Sequence, residues 1–153
     1  MKYAIVLPAG SGKTYLSNKY EKLLDIDSFL SENQQIILKN LCVKAMNTDN
    51  WVNHQNKEYQ FINSKIQSYD DSFILLLHHE SKAEKYNLEV LGSYKTCEKI
   101  MKYVSKERGK KDKFRESCTV HNWKSCTNSI ILENHVLIEE EIKKILNYIN
   151  KND

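Results

Sequence analysis

The sequence predicts an α/β fold, a three-layer sandwich in which helices cover both faces of a five-stranded parallel sheet. An apolar run, Tyr3 to Leu7, leads directly into a glycine-containing turn and then into a helical pattern. The segment Ser72 to Leu77 is almost continuously apolar, which is typical of a strand covered on both faces. Short apolar runs alternate with helical patterns along the whole chain, and this order favours parallel strands joined by crossover helices.

Composition narrows the class of protein. A chain of 153 residues suits one domain, residues 1–153, and its net charge of +3 permits anionic ligands without indicating a dedicated nucleic-acid-binding protein. No segment is apolar enough to span a membrane and the N-terminus does not read as a secretory signal, so we expect no membrane partner and a cytoplasmic location. The lysine and asparagine bias is typical of an AT-rich genome. A viral origin would place the protein in the host cytoplasm or the virion.

The first half of the chain predicts three strands, over residues 2–7, 23–27 and 72–77. The first helix is predicted over about residues 13–22. A second helix, residues 28–46, has apolar positions at helical spacing, namely Leu30, Ile37, Leu41 and Ala45. After a polar loop, a third helix places four residues on one face, namely Tyr59, Ile62, Ile66 and Tyr69.

The second half predicts a short helix over 80–86 and a strand over 88–91 that ends at Gly92. Thr96 is a candidate N-cap for the next helix. A charged stretch, Ser105 to Glu116, precedes a weaker helical pattern, a strand over 129–132 and a last amphipathic helix. The apolar stripe of that helix consists of Ile138, Ile142, Ile145, Leu146 and Ile149.

Residues 8 to 14 read Pro-Ala-Gly-Ser-Gly-Lys-Thr and predict a phosphate-binding loop. Two of the four glycines and the only proline of the chain lie here, directly behind the first strand. Such glycines let backbone N–H groups turn towards phosphate oxygens, and the helix that follows offers its positive N-terminus. Lys13 supplies charge for the β- and γ-phosphates, and the Thr14 hydroxyl can bind Mg²⁺. The candidate nucleotide-binding residues of the loop are Ala9, Gly10, Ser11, Gly12, Lys13, Thr14 and Tyr15.

Two carboxylates follow the second strand at the same edge of the sheet. Because alternate strand residues point to opposite faces, we expect Asp25 and Asp27 to diverge, one towards Mg²⁺ and one towards a helix or second substrate. A carboxylate beside an attacking hydroxyl can orient it or accept its proton in phosphoryl transfer. The alternative is that these residues only cap the next helix.

The two arginines of the chain, Arg108 and Arg115, lie seven positions apart in the charged stretch. Lysine is used at every other basic position, and lysine cannot copy the planar two-point grip of arginine on phosphate. We therefore predict a mobile lid over residues 105–116 that closes on the nucleotide. The alternative is a solvated charged loop. His78 and His79 follow the third strand and can contact substrate, act as a base or simply end the strand.

With this loop, Asp25-Ile-Asp27 and the arginine segment in place, the chain resembles the nucleotide- and shikimate-kinase-like group of P-loop kinases. The resemblance implies a sheet of order 2-3-1-4-5, the use of ATP and Mg²⁺, and transfer of a phosphoryl group to a small acceptor. It also implies that Lys13 holds the β/γ-phosphates and that Thr14, with Asp25 or Asp27, holds Mg²⁺.

On the same resemblance, Arg108 would lie near the adenine or phosphates, Arg115 would clamp the transferring group and Asn134 would flank the adenine. The acceptor would be a nucleotide, a nucleic-acid 5′ end or a small metabolite hydroxyl.

The chain departs from the pattern of this group at several points. Leu7 stands where the leading glycine is expected, and the third strand ends in two histidines. No arginine lies between residues 28 and 70, so a lysine would have to grip any anionic acceptor group. The candidates are Lys39, Lys44, Lys57 and Lys65. The alternative function is therefore a catalytically weak or inactive kinase-like protein with a structural or regulatory role, for example in a viral particle.

Overall fold

The computed structural model of the chain describes residues 2–152; Met1 and Asp153 of the predicted domain lie outside the described residues. The strands are β1 (Lys2–Val6), β2 (Leu23–Asp25), β3 (Ile74–Leu77), β4 (Leu88–Thr96) and β5 (Ile130–Leu132). The helices are α1 (Lys13–Lys19), α2 (Glu32–Thr48), α3 (Val52–Ser68), α4 (Ser81–Lys85), α5 (Glu98–Gly109), α6 (Lys113–Ser125) and α7 (His135–Asn152). A single 3₁₀ turn, Ile26–Phe29, follows β2.

The five strands form one sheet in the order β2-β3-β1-β4-β5, and every neighbouring pair is parallel. The α/β fold with a five-stranded parallel sheet is therefore confirmed, including its strand order. In this order β1 lies at the centre, between β3 and β4. The carboxyl end of β1, from which the predicted phosphate-binding loop departs, thus meets the ends of both neighbours, where open parallel sheets bind ligands.

Alternating side chains of β1 build two separate cores. Ala4 and Val6 belong to one cluster of buried residues, with Ile62 and Ile66 of α3. Ile5 belongs to the cluster on the opposite face, where Ile138 and Ile142 of α7 pack. Because both faces of the central strands are buried, β1 and β3 are apolar at successive positions rather than at alternate ones.

Helix α2 is present, but its buried face differs from the prediction. Ser31 caps its N-terminus, accepting from the Gln34 N–H while the Gln34 side chain accepts from the Ser31 N–H. Leu38 and Ala45 are buried, whereas Ile37, which we expected to face inward, is exposed. Three apolar residues follow one another in the sequence, namely Ile36, Ile37 and Leu38. Which of them is buried depends on the contact of α2 with α3 rather than on the periodicity.

Strand β4 is longer than predicted. It continues through Gly92 to Thr96, and the pairing of β1 with β4 shifts register between Ala4 and Ile5. Glycine inside a strand often marks such a bulge. A Cβ at Gly92 would lie only 2.6 Å from the Tyr94 ring, so a glycine is required there. Thr96 consequently ends the strand and does not cap α5, whose N-cap is Cys97.

The charged stretch 105–116, predicted as a lid, is a helical hairpin and not a solvated loop. It comprises the end of α5, the short turn 110–112 and the start of α6, where the Asp112 side chain accepts from the Phe114 N–H. The two helices approach closely, because a Cβ on Gly109 would lie 2.9 Å from the Glu116 Cβ. Both arginines are therefore presented from helices.

The helical cover of the sheet is incomplete at its β5 edge. Ile130 and Ile131 are more than half exposed, so this edge strand is less well covered than the central strands. Among residues 2–152, no helix combines the length and the apolar character needed to cross a membrane.

Candidate functional site

The loop between β1 and α1 has the backbone geometry of an anion-binding turn. Gly10 and Gly12 have φ values of +86° and +102°, a region that side chains rarely adopt. The Ser11 N–H donates to the Pro8 carbonyl at 3.0 Å, which closes the turn. Gly12 forms the N-cap of α1 without a side-chain partner, so the helix N-terminus stays open towards the turn.

Lys13 lies at the centre of the site and binds two carboxylates. Its ammonium donates to Asp25 Oδ1 at 3.2 Å and to Asp27 Oδ2 at 2.8 Å. Lys13 and Asp25 are buried, and the Asp27 side chain is about half exposed. Burial alone would lower the pKa of Lys13, but the Asp27 and Asp25 charges outweigh it and raise this pKa above its ordinary value.

Both carboxylates reach the same lysine because β2 ends at Asp25. The chain then enters the 3₁₀ turn, where the Asp25 side chain caps the Asp27 N–H at 3.0 Å. The prediction that the two carboxylates point to opposite faces is therefore wrong. Desolvation favours the protonated acid at Asp27, but the adjacent Lys13 charge outweighs it and holds the pKa of Asp27 well below its usual range.

A cavity of about 440 Å³ lies on one side of Lys13 and is bordered by the loop, α5 and α6. This donor-side cavity is lined by the loop residues Gly10 to Tyr15 and by Leu16, Asp27, Val104, Arg108, Arg115 and His135. The sequence-predicted Lys13, Thr14, Tyr15 and both arginines are thus brought together. The two arginines that line this cavity lie on helices, Arg108 on α5 and Arg115 on α6.

Neither arginine is neutralised by an acid. Among residues 2–152, no ion pair involves Arg108 or Arg115, although Arg108 Nη1 lies 3.5 Å from Thr119 Oγ1. Desolvation and the neighbouring Arg115 charge lower the pKa of Arg108, against the opposing effect of Asp27. Two uncompensated guanidinium groups beside a glycine turn favour an anionic ligand with several oxygens.

Ser11 adds a second sign of an anion site. Ser11 is 1% exposed and its Oγ has no hydrogen-bond partner among residues 2–152, although the residue lines the donor-side cavity. A buried hydroxyl without a partner is costly in a folded protein. A phosphate oxygen in the cavity would accept from it.

A larger cavity, about 490 Å³, lies on the other side of Lys13 between α2, α3, α4 and α6. Lys13 and Asp27 line this acceptor-side cavity as well as the donor-side one. Trp51 and His121 line it too, with ring centroids 5.3 Å apart and planes 21° apart. His54 meets the same tryptophan edge-on at 5.5 Å.

His78 borders this cavity as an uncharged base. Its Nδ1 is buried without a hydrogen bond and lies 3.8 Å from Asp27 Oδ1. Desolvation and the Lys82 charge lower the pKa of His78 to about 3, so the ring is neutral at physiological pH. His79 lines the same cavity, and its Nδ1 accepts from the Ser81 N–H at 3.1 Å.

A buried ion pair fixes the floor of the acceptor-side cavity. Lys82 of α4 binds both carboxylate oxygens of Glu58 of α3, and the Tyr86 hydroxyl donates to the same carboxylate at 3.0 Å. Lys82 and Glu58 are both buried. Desolvation would raise the pKa of Glu58, but Lys82 outweighs it and lowers this pKa.

Three sequence-predicted site residues have other contacts. The Ala9 N–H donates to Asn122 Oδ1 at 2.6 Å, and Ala9 lines the acceptor-side cavity. Asn134 caps α7, where its side chain accepts from the Leu137 N–H. Asp25 supports the 3₁₀ turn, whereas Asp27 is the carboxylate that lines both cavities.

The oxygen groups at the donor-side cavity fit Mg²⁺. The exposed Thr14 hydroxyl and the Asp27 carboxylate both line it, and Mg²⁺ prefers such hard oxygen ligands. Within residues 2–152 no cluster of three or more His, Cys, Asp or Glu side chains forms a metal site.

Three residues that line or support the site were not assigned to it from the sequence. His135 Nε2 lies 2.7 Å from the Gly10 carbonyl oxygen, Asn122 ties the loop to the carbonyl of His78, and Trp51 walls the acceptor side. Each acts across a sequence separation that local patterns do not report. The one local signal was the position of Asn134 and His135 directly after β5. Of these two residues, His135 is the one that contacts the β1–α1 loop.

In comparisons with known proteins, no family model, no curated protein and no solved structure matches this chain.

Proposed function

We propose that the protein is a Mg²⁺- and ATP-dependent phosphotransferase with the architecture of the nucleotide- and shikimate-kinase-like group. The observation that carries this proposal is that two cavities meet at Lys13 and Asp27. One has a glycine turn and free arginines suited to phosphates, and the other can hold an acceptor. A phosphotransferase needs this arrangement, because the two substrates must react in line across one short gap.

The roles follow from the contacts. Bound phosphates would draw the Lys13 ammonium away from its two carboxylates, since a polyphosphate presents more negative charge than either acid. Asp27 would then be free to accept a hydrogen bond from the acceptor hydroxyl. Arg108 and Arg115 would stabilise charge on the transferring group. Mg²⁺, held by Thr14 and Asp27, would neutralise charge on the phosphate oxygens.

The acceptor classes that suit this chemistry are a nucleotide, a nucleic-acid 5′ end and a small metabolite hydroxyl. A nucleic-acid end requires a basic path leading to the site. The acceptor-side cavity presents Trp51, Met46 and thiols rather than such a path. The proposal therefore favours a small acceptor.

Calorimetric titration with Mg²⁺ and a non-hydrolysable ATP analogue tests the donor side. We expect one saturable site in the intact protein and about a hundredfold weaker binding in Lys13→Met, which keeps the buried aliphatic stem but removes the charge. Lys19→Met is the matched control, because Lys19 lies on the same helix but is exposed and paired with Glu139. Circular dichroism establishes that each variant is folded.

Absence of analogue binding in the intact protein would contradict the proposal. Equal affinity in folded Lys13→Met would contradict it as well, because the loop lysine would then have no role in binding phosphate.

The second candidate is a kinase-like protein with a structural or regulatory role. It is favoured by Leu7, a fully buried core residue at the position of the leading glycine, whose N–H is bonded to the Leu77 carbonyl. The turn is consequently one residue shorter at its start. Failure of nucleotide binding in the titration above would support this candidate.

A further inference from the structure

We propose that the acceptor is an uncharged nucleoside, whose base lies against the Trp51–His121 wall and whose hydroxyl reaches Asp27. The inference rests on the proposed phosphotransferase function and specifies its second substrate. It is carried by the charges, the aromatic surface and the carboxylate of the acceptor-side cavity.

The cavity has no positive charge free to bind a phosphate or carboxylate on the acceptor. Within residues 2–152, its lining includes two lysines, and both are bound to carboxylates: Lys13 to Asp25 and Asp27, and Lys82 to Glu58. No arginine lines it. If phosphates of the donor draw Lys13 to the other side, the acceptor side loses that charge too.

Two histidines of the cavity are also poor replacements for a free cation. Desolvation lowers the pKa of His54 and that of His79, which disfavours a positive charge on either ring. Asp49 adds a negative charge to the lining, beside Asp27. An anionic acceptor group would therefore be desolvated without a counter-charge, which is strongly unfavourable.

The lysines that the sequence offered as substitutes lie elsewhere. Lys39 is paired with Asp112 at 2.5 Å, Lys65 donates to the Phe29 carbonyl and Lys57 lies over the Phe61 ring. None of them, nor Lys44, lines the acceptor-side cavity. The absent acceptor arginine is thus not compensated by these lysines, and an acceptor without an anionic group removes the need for one.

The walls favour a flat aromatic ring. Trp51 and His121 stack on one another and both line the cavity, where Cys42, Met46 and Cys118 supply polarizable apolar surface. Bases stack well on such aromatic side chains. The Gln55 amide lines the same cavity and can pair with a base edge. A volume of about 490 Å³ is in the range of pockets that hold molecules of nucleoside size.

The reaction balances with ATP as the phosphoryl donor. The nucleoside hydroxyl oxygen forms a bond to the γ-phosphorus, and the bond from that phosphorus to the β,γ-bridging oxygen breaks. ADP leaves with the bonding electron pair. The hydroxyl proton passes to the Asp27 carboxylate and from there to water.

The test is a calorimetric titration of the full chain with adenosine, guanosine, cytidine and thymidine, and with their 5′-monophosphates. Mg²⁺ and the non-hydrolysable ATP analogue are present at saturation, so that the donor-side cavity is blocked. We expect at least one nucleoside to bind at one site per chain. Its monophosphate is expected to bind at least about tenfold more weakly.

Two variants test separately the two features on which the inference rests, the aromatic wall and the lack of a free cation. Trp51→Ala should weaken nucleoside binding about tenfold through loss of stacking, whereas Tyr103→Ala, an exposed aromatic outside the cavity, should leave it unchanged. Gln55→Lys introduces an unpaired cation into the lining and should strengthen monophosphate binding by about tenfold. The second variant keeps the test decisive if Trp51→Ala does not fold.

The outcomes separate the two proposals. Monophosphate binding as tight as nucleoside binding in the intact protein would overturn the inference. Analogue binding without binding of any of the four nucleosides would also overturn it, and would leave the phosphotransferase proposal intact. A chain that binds neither the analogue nor a nucleoside would overturn both.

Discussion

Lys13 combines a structural contact with the role proposed for it in binding phosphate. It lies between Asp25 and Asp27, and Asp25 is buried beneath it. A lysine needed only for phosphate would be removable at little cost to stability. Here its removal leaves a buried carboxylate without a cation, which proteins tolerate poorly.

Lys13→Met is therefore expected to lower the free energy of unfolding by about 1–3 kcal/mol, because Asp25 loses its counter-charge. Urea denaturation measures this change. The double variant Lys13→Met/Asp25→Asn should recover part of the loss, since the uncompensated charge is then gone. Lys19→Met, which breaks a more exposed pair with Glu139, should cost less than about 1 kcal/mol. An unchanged midpoint for Lys13→Met would show that the pair contributes nothing to stability.

His78 makes stability depend on pH. The folded protein holds its pKa near 3, against an ordinary value of 6.5. Between these values the unfolded chain binds the proton and the folded chain does not, so stability falls as pH falls through this window. Between about pH 6.5 and 5 carboxylates titrate little, and histidine dominates the slope.

We expect His78→Gln to flatten the dependence of the urea midpoint on pH between about 6.5 and 5, because glutamine does not titrate. His79→Gln is the comparison variant, because desolvation lowers the pKa of His79 as well and its share of the slope has to be separated from that of His78. His54 and His79 also have lowered pKa values, so some slope remains. The same slope in His78→Gln and the intact protein would exclude His78 as its source.

The donor side of the site follows from the sequence further than the acceptor side. The residues of the loop carry their chemistry in a local pattern, and Arg108 and Arg115 stand out as the two arginines of the chain. Trp51 and His121 become one wall only through tertiary packing of α3 against α6, and no local pattern joins them. Asp25 and Asp27 were identified, but one 3₁₀ turn reversed their expected orientation.

At the scale of elements, the α5–α6 hairpin shows where charge composition misleads. The run 105–116 is strongly charged, and such runs are often solvated loops. In the fold Val104, Arg108, Arg115 and Thr119 turn towards the β1–α1 loop, while the lysines face outward. Helical spacing places these four residues on one side of the hairpin. The charged residues of the stretch thus lie over a buried contact between the hairpin and the loop.

The hairpin contact explains why Gly10 cannot carry a side chain. A Cβ there would lie 2.9 Å from Val104 Cγ1, and its φ is +86°; at Gly12 the φ is +102° but the nearest atoms are 3.8 Å away. Gly12→Ala should cost about 1–2 kcal/mol from backbone strain alone. Gly10→Ala should cost more in urea denaturation, because the clash adds to the strain.

Val104→Ala provides the control for that clash. Combined with Gly10→Ala, it should cost less than the sum of the two single changes, since the added methyl then has room. Equal costs for Gly10→Ala and Gly12→Ala would show that the hairpin does not press on the loop.

At the scale of the whole molecule, the central strands were more predictable than the edge. Strands β1 and β3 are buried on both faces, and they can therefore be recognised in the sequence as apolar runs. Strand β5 is equally apolar in sequence, yet Ile130 and Ile131 are exposed at this edge of the sheet, whereas Leu23 of β2 is buried at the other edge. The sequence predicted that β4 ends at Gly92. In the structure the strand continues past this glycine through a bulge and is therefore longer.

Because two cavities share Lys13 and Asp27 but are otherwise lined by different elements, two ligands should protect two different parts of the chain. The non-hydrolysable ATP analogue with Mg²⁺ is expected to slow hydrogen exchange at locally opening amides of residues 8–16 and 104–115. A nucleoside added afterwards should extend protection to residues 49–55 and 118–122, which carry the acceptor-side wall. Hydrogen exchange followed by mass spectrometry measures both footprints.

The N-terminal half of α2, residues 32–38, serves as the internal reference, because its side chains line neither cavity. The order of addition is informative as well. Displacement of Lys13 by phosphates frees Asp27 for the acceptor, so the nucleoside should protect its segments more strongly after the analogue than before it. Protection of 49–55 by the analogue alone, with no further change on adding nucleoside, would contradict a division of the site into donor and acceptor sides.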